Sequence, residues 1–191
     1  MCRRQRCGRI PDSLAKSLIE STVMKPLPLA VAVLAFAAPA WAQTPPTPAP
    51  VAAAPAPPYG APIGLETAQA LIDRATAAAS ARGFRMAFAI VEPSGALVAF
   101  GRMDDTQYGS IAVAQAKARS AALYRTATSV SEERLAGGRT ALLALDGMVP
   151  VAGGVPIVVD GRIIGAIGVS GASSAQDDEI ARAAIAAALG G

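Results

Sequence analysis

The strongest constraint on this 191-residue chain is the stretch GGVPIVVDGRIIGAIGVSG, from Gly153 to Gly171. Two apolar runs, Val155 to Val159 and Ile163 to Val169, flank an Asp160-Gly161 pair. A two-residue Asp-Gly connection between β-branched runs predicts a tight hairpin, because both central positions of the favoured turn need positive φ. Side chains alternate across a strand, so Ile163, Gly165, Ile167 and Val169 share one face. Ile164, Ala166, Gly168 and Ser170 share the other, which is almost bare beyond Ile164. A bare strand face lets a helix, another subunit or a flat ligand come close to the backbone.

The remaining elements follow from periodicity. Leu65, Ala68, Leu71, Ile72, Ala75 and Ala79 form a helical stripe, closed by Gly83 as a C-cap. Arg85 to Val91 alternates, with Met86, Phe88 and Ile90 on one face and Ala87, Ala89 and Val91 on the other. The turn Glu92-Pro93-Ser94-Gly95 returns the chain into a second strand, Ala96 to Gly101. A helix follows from about Ser110 to Tyr124, with Ile111, Ala114, Ala118 and Ala121 as a small apolar stripe. Ser129 to Glu132 fits a capping box for a short helix closed by Gly137-Gly138, and Thr140 to Pro150 is left as loop with 3₁₀ or strand character. Ser174 caps the last helix, and Asp177, Asp178 and Glu179 fill its first turn, where the helix dipole favours negative charge. Consecutive helical residues are about 100° apart, so these three acids do not converge on a metal. The order α-β-β-α-(short α)-β-β-α with tight hairpins is an α+β sandwich, with one sheet face bulky and the other lined by alanine.

The domain begins late. Met24-Lys25, the apolar run Leu27 to Ala38 and Ala40-Trp41-Ala42 have the three parts of a secretory signal peptide over 24–42. Its core is shorter than the roughly 20 apolar residues of a membrane span. Cleavage after Ala42 would place the chain in the periplasm or outside the cell, with no transmembrane segment left. Residues 1–23 read as an upstream start artefact, 43–62 as a Pro/Ala-rich linker, extended at about 3.1 Å per residue, and 63–191 as one domain. Six of the 17 basic and two of the 14 acidic residues lie in 1–42, leaving 11 against 12 and a net charge of −1 instead of +3. The basic balance therefore belongs to the leader and gives no argument for nucleic acid as a partner. Cys2 and Cys7 leave with it, so the mature chain has no disulfide, thiol nucleophile or thiolate ligand.

Histidine is absent from the whole chain. This removes the Ser-His-Asp arrangement and the usual ligand of zinc and haem iron. Glu92, Asp104, Asp105, Lys117, Asp146 and Asp160 remain as acid/base candidates, with Glu92 and Asp160 in turns. Neither a P-loop nor a GxGxxG after a strand occurs, and no catalytic residue is assigned. Val113, Lys117, Ser120 and Tyr124 share one helix face. Lys117 is there either a solvated side chain or a cation that meets a ligand carboxylate.

Three stretches together, IVEPSGALVAFGRMDD (90–105), AQAKARSAALYR (114–125) and GGVPIVVDGRIIGAIGVSGASSAQDDEIA (153–181), resemble the GlcG/HbpS-like family of haem-binding or haem-degrading-like proteins. The likeness covers 64–189. It implies a profilin-like α-β-α layer fold around an antiparallel sheet of about five strands, homo-oligomers, and a small-molecule ligand with haem or a related tetrapyrrole first to test. The chain departs from the family in having Pro93 after Glu92 and no histidine ligand. Haem would then take its axial ligand from Tyr108, Tyr124, Met103, Met148 or the Ser120 hydroxyl, and its propionates would meet Lys117, Arg102 or Arg119. The binding set is thus Arg102, Lys117, Ser120 and Tyr124. The alternatives are a structural homo-oligomer without a cofactor, or an enzyme acting on haem or a small carboxylate.

Overall fold

The computed structural model describes residues 55–190. The segments 1–23 and 24–42 and the start of the Pro/Ala-rich run lie outside the described residues. Helix α1 (Leu65–Ala81) leads into the hairpin β1 (Ala87–Val91) and β2 (Leu97–Arg102), then α2 (Gly109–Tyr124), α3 (Thr128–Ala136) and a 3₁₀ turn over Thr140–Ala144. The second hairpin, β3 (Gly154–Val159) and β4 (Arg162–Ser170), precedes α4 (Ser174–Leu189). The sheet is antiparallel in the order β2-β1-β4-β3. It has four strands instead of about five.

Residues read as linker bond to the part of β4 that β1 does not reach. β1 pairs with β4 only over Ala166 to Ser170, which leaves the start of β4 free on that side. Pro58 to Ile63 occupies it. Ile163 N donates to Pro58 O (2.9 Å), Gly60 N to Ile163 O (2.8 Å) and Ile63 N to Ile164 O (2.8 Å). Backbone bonding to the sheet thus includes residues upstream of Ile63, itself buried.

The two sheet faces differ as the alternation predicts. Met86, Phe88 and Ile90 of β1 join Ile167 and Val169 of β4 in one core with Leu71 and Ala75 of α1 and Ile180 and Ala184 of α4. Fully burying each large member contributes about 1.5–3 kcal/mol, so this face holds most of the hydrophobic stabilisation. Ala87, Ala89, Val91 and Ala166 face Ala114, Ala118 and Ala121 of α2 on the opposite side. Gly168 sets how close α2 sits, because a Cβ there would overlap Ala114 O and the Ala118 backbone. The bare face of β4 is therefore covered by a helix. Asp160 (φ 49°) and Gly161 (φ 71°) adopt the positive φ values that the hairpin turn requires.

Two helix starts differ from expectation. Ser173, not Ser174, caps α4, accepting from Gln176 N (3.4 Å) in a capping box with the Gln176 side chain. α3 starts at Thr128, one residue ahead of the expected box, and its N-cap Ala127 has no side-chain acceptor. Glu132 is drawn away, accepting from Ala152 N and Ser174 Oγ, both at 3.0 Å. Among the described residues no helix is long and apolar enough to cross a membrane.

Candidate functional site

Lys117 neither lies on a solvated face nor offers its charge to a ligand. It is buried, and its ammonium donates to Asp177 Oδ2 (2.7 Å) and Val169 O (3.1 Å). α2 lies on the alanine face of the sheet and α4 on the bulky face, so this ion pair joins the two helical layers past the end of β4. Gly153 makes room for it: at φ 119°, a Cβ there would lie 2.8 Å from Asp177 Cβ and 3.0 Å from Lys117 Nζ. Burial pushes the Asp177 carboxyl above its ordinary value, opposed by the Lys117 hydrogen bond and the Ala172 N–H. Asp177 is therefore more than a dipole-neutralising acid, and its two neighbours serve other pairs, Asp178 with Arg182 (2.6 Å) and Glu179 with Arg82 (2.5 Å). Every buried side-chain polar atom among the described residues has a partner.

Ser120 and Tyr124 hold a loop. Ser120 Oγ accepts from Val149 N (3.0 Å) and donates to Met148 Sδ (3.7 Å), while the Tyr124 hydroxyl donates to Asp146 O (2.6 Å). Residues 146–149 are thereby fastened to α2. Arg102, at the end of the edge strand β2, lies far along the molecule from these contacts. The four residues of the expected binding set do not converge.

Arg102 has a different companion. Its guanidinium carbon lies 5.6 Å from the ring centroid of Tyr108, which precedes α2 and is 82% exposed. Of the three tyrosines in the chain, Tyr59 donates to Ala122 O and Leu123 O, and Tyr124 to Asp146 O. Of the three, the Tyr108 hydroxyl alone has no hydrogen-bond partner among the described residues. Met86 is fully buried, Met103 packs on the bulky core and the Met148 sulfur is engaged by Ser120. Among the tyrosines and methionines of the described residues, Tyr108 is thus the accessible side chain with an unengaged ligating atom, and it has a cation beside it. The six-residue spacing from Arg102 to Tyr108 across a strand exit carries no periodic signal, which is why the sequence does not show the pair. Arg119 lies apart, in a shallow cleft of about 290 Å³ between the first hairpin turn and Gln115-Ala116 of α2.

A family model described as "Haem degrading protein HbpS-like" matches residues 63–186. The chain belongs to the HbpS-like family. The match begins at Ile63, the buried residue bonded to β4, and ends within α4. Among HbpS-like relatives, protein GlcG of Escherichia coli K12 is 41% identical over 105 residues, spanning 55% of this chain and 78% of that one. The crystal structure of HbpS superposes with a TM-score of 0.64 at 32% identity, covering 69% of this chain and 93% of HbpS. A crystal structure of a PduOC–haem complex gives 0.61 at 30% identity, covering 66% of this chain and 94% of that one. The HbpS-like fold is the α+β layer architecture described above.

Proposed function

We propose that this HbpS-like protein binds haem or a related tetrapyrrole at its surface, with Tyr108 as the axial ligand and Arg102 as a propionate partner. The observation that carries the reading is the exposed Arg102–Tyr108 pair in a chain without histidine. Tyrosine is an established haem ligand type, and a guanidinium matches a carboxylate in a forked geometry. The HbpS-like match and the PduOC–haem neighbour support haem as the ligand class. Lys117, Ser120 and Tyr124 support the fold instead of touching the ligand, since each polar group is already engaged. Bound haem would supply its own iron chemistry; this chain's residues bind and orient it.

The protein is exported and self-associates in this reading. The signal-like segment 24–42 supports export, and N-terminal sequencing of the protein recovered outside the cytoplasm should begin at Gln43. Both sheet edges support self-association. Leu97 on β2 and Val158 on β3 are 50% and 42% exposed on strands with a free edge. The binding test is a ferric haem titration of the chain against Tyr108→Phe and Arg102→Gln. The parent should saturate at one haem per subunit, Tyr108→Phe should lose at least about tenfold in affinity, and Arg102→Gln about several-fold. Unchanged affinity in Tyr108→Phe rules the site out.

A further inference from the structure

We propose a second site, for a small dianion, at the corner between α2 and α3. A cleft of about 540 Å³ there is lined by Tyr124, Arg125, Thr126 and Arg134 together with Pro55 to Pro57. Two of these lining residues are arginines and none is acidic. The three ion pairs among the described residues are Arg82–Glu179, Lys117–Asp177 and Arg182–Asp178, so neither cleft arginine is ion-paired among the described residues. Two arginines that line one cleft, neither in an ion pair among the described residues, select a ligand with two negative charges.

The corner is also shaped for this. Arg125 ends α2 at φ 52°, and its guanidinium carbon stands 5.4 Å from the centroid of the Tyr59 ring. Stacking fixes the plane of the fork while its N–H edges stay available to an acceptor. The last carbonyls of a helix carry partial negative charge, which would repel an anion. Here Ala122 O and Leu123 O accept from the Tyr59 hydroxyl at 3.0 and 3.1 Å, which blunts that repulsion. The same tyrosine belongs to the strap that Pro58 and Gly60 bond to Ile163, so the proline wall is anchored next to the arginines. Proline further limits the conformational freedom this wall has to lose when a ligand binds. The site stands apart from Arg102 and Tyr108, which lie at the other end of the 16-residue α2, about 24 Å away at 1.5 Å per residue.

The shared ligand chemistry is two oxyanion charges a few ångströms apart, as in a short dicarboxylate or a phosphate monoester. Calorimetric titration of the full chain with succinate, inorganic phosphate and acetate at matched low ionic strength tests it. Succinate or phosphate should saturate one site per subunit, at least about tenfold more tightly than acetate. Stronger succinate binding assigns a dicarboxylate, and stronger phosphate binding a phosphate monoester. Arg125→Gln/Arg134→Gln changes two exposed side chains and should remain folded by circular dichroism, yet lose at least about tenfold in affinity. Arg139→Gln, an exposed arginine outside the cleft lining, should bind as the parent does. No saturable heat up to about 10 mM, equal binding by the double variant, or an equal loss in Arg139→Gln overturns the proposal.

Discussion

Replacing Lys117 by methionine tests whether one buried ion pair holds the two helical layers together. The Lys117 and Asp177 side chains are only 2% and 3% exposed. Methionine keeps much of the lysine stem but leaves Asp177 with the Ala172 N–H (3.0 Å) as its hydrogen-bonding partner. Removing one member of a buried pair costs about 3–5 kcal/mol, because the other charge stays desolvated. Burial already favours the protonated Asp177, so the lower end, about 3 kcal/mol, is expected. With a urea slope of about 2 kcal/mol/M, the unfolding midpoint should fall by about 1.5 M. In Lys117→Met/Asp177→Asn the asparagine oxygen can keep the Ala172 N–H while no charge is buried. That double variant should lose only about 1 kcal/mol relative to the parent, less than Lys117→Met alone. A Lys117→Met midpoint within about 0.3 M of the parent would refute the reasoning.

Three further outcomes follow from the close approach of α2 to β4, the hairpin turn and the burial of Asp177. Gly168→Ala places a methyl group against the α2 backbone, so α2 must lift off β4; denaturation should show a loss of at least about 2 kcal/mol. Gly161→Ala, at φ 71° with open space around it, should lose only about 1 kcal/mol, and equal losses would show that the close approach does not matter. Because burial raises the Asp177 pKa, the folded chain takes up this proton at a higher pH than the unfolded chain. By linkage, the parent should gain stability relative to Asp177→Asn as pH falls through the folded pKa toward about 4, and a gap moving the other way contradicts the assignment.

Much of the fold is legible in the sequence because its signals are local. The alternation in 85–91 separates Met86, Phe88 and Ile90 from Ala87, Ala89 and Val91, and the two sets lie in opposite cores. The Asp160-Gly161 turn and the α1 stripe are legible for the same reason. What escapes local reading depends on partners distant in the chain. Asp177 reads as a first-turn acid until α2 brings Lys117, 60 residues earlier, against it. Glu132 fits a capping box until Ala152 and Ser174 supply donors from other elements. Pro58 to Ile63 has no strand periodicity, yet the uncovered start of β4 gives its backbone partners. The candidate site divides in the same way. Residue types with ligand chemistry are visible in the sequence, but only the fold shows that Ser120 and Tyr124 are already bonded and that Tyr108 is free beside Arg102.

The most direct test of the functional account is resonance Raman spectroscopy of the ferric haem complex of the parent and Tyr108→Phe, at equal occupancy. Phenolate modes in the parent that disappear in Tyr108→Phe are the predicted result. A parent spectrum without phenolate modes, or one that Tyr108→Phe retains, would contradict ligation by Tyr108 and the binding site built around it.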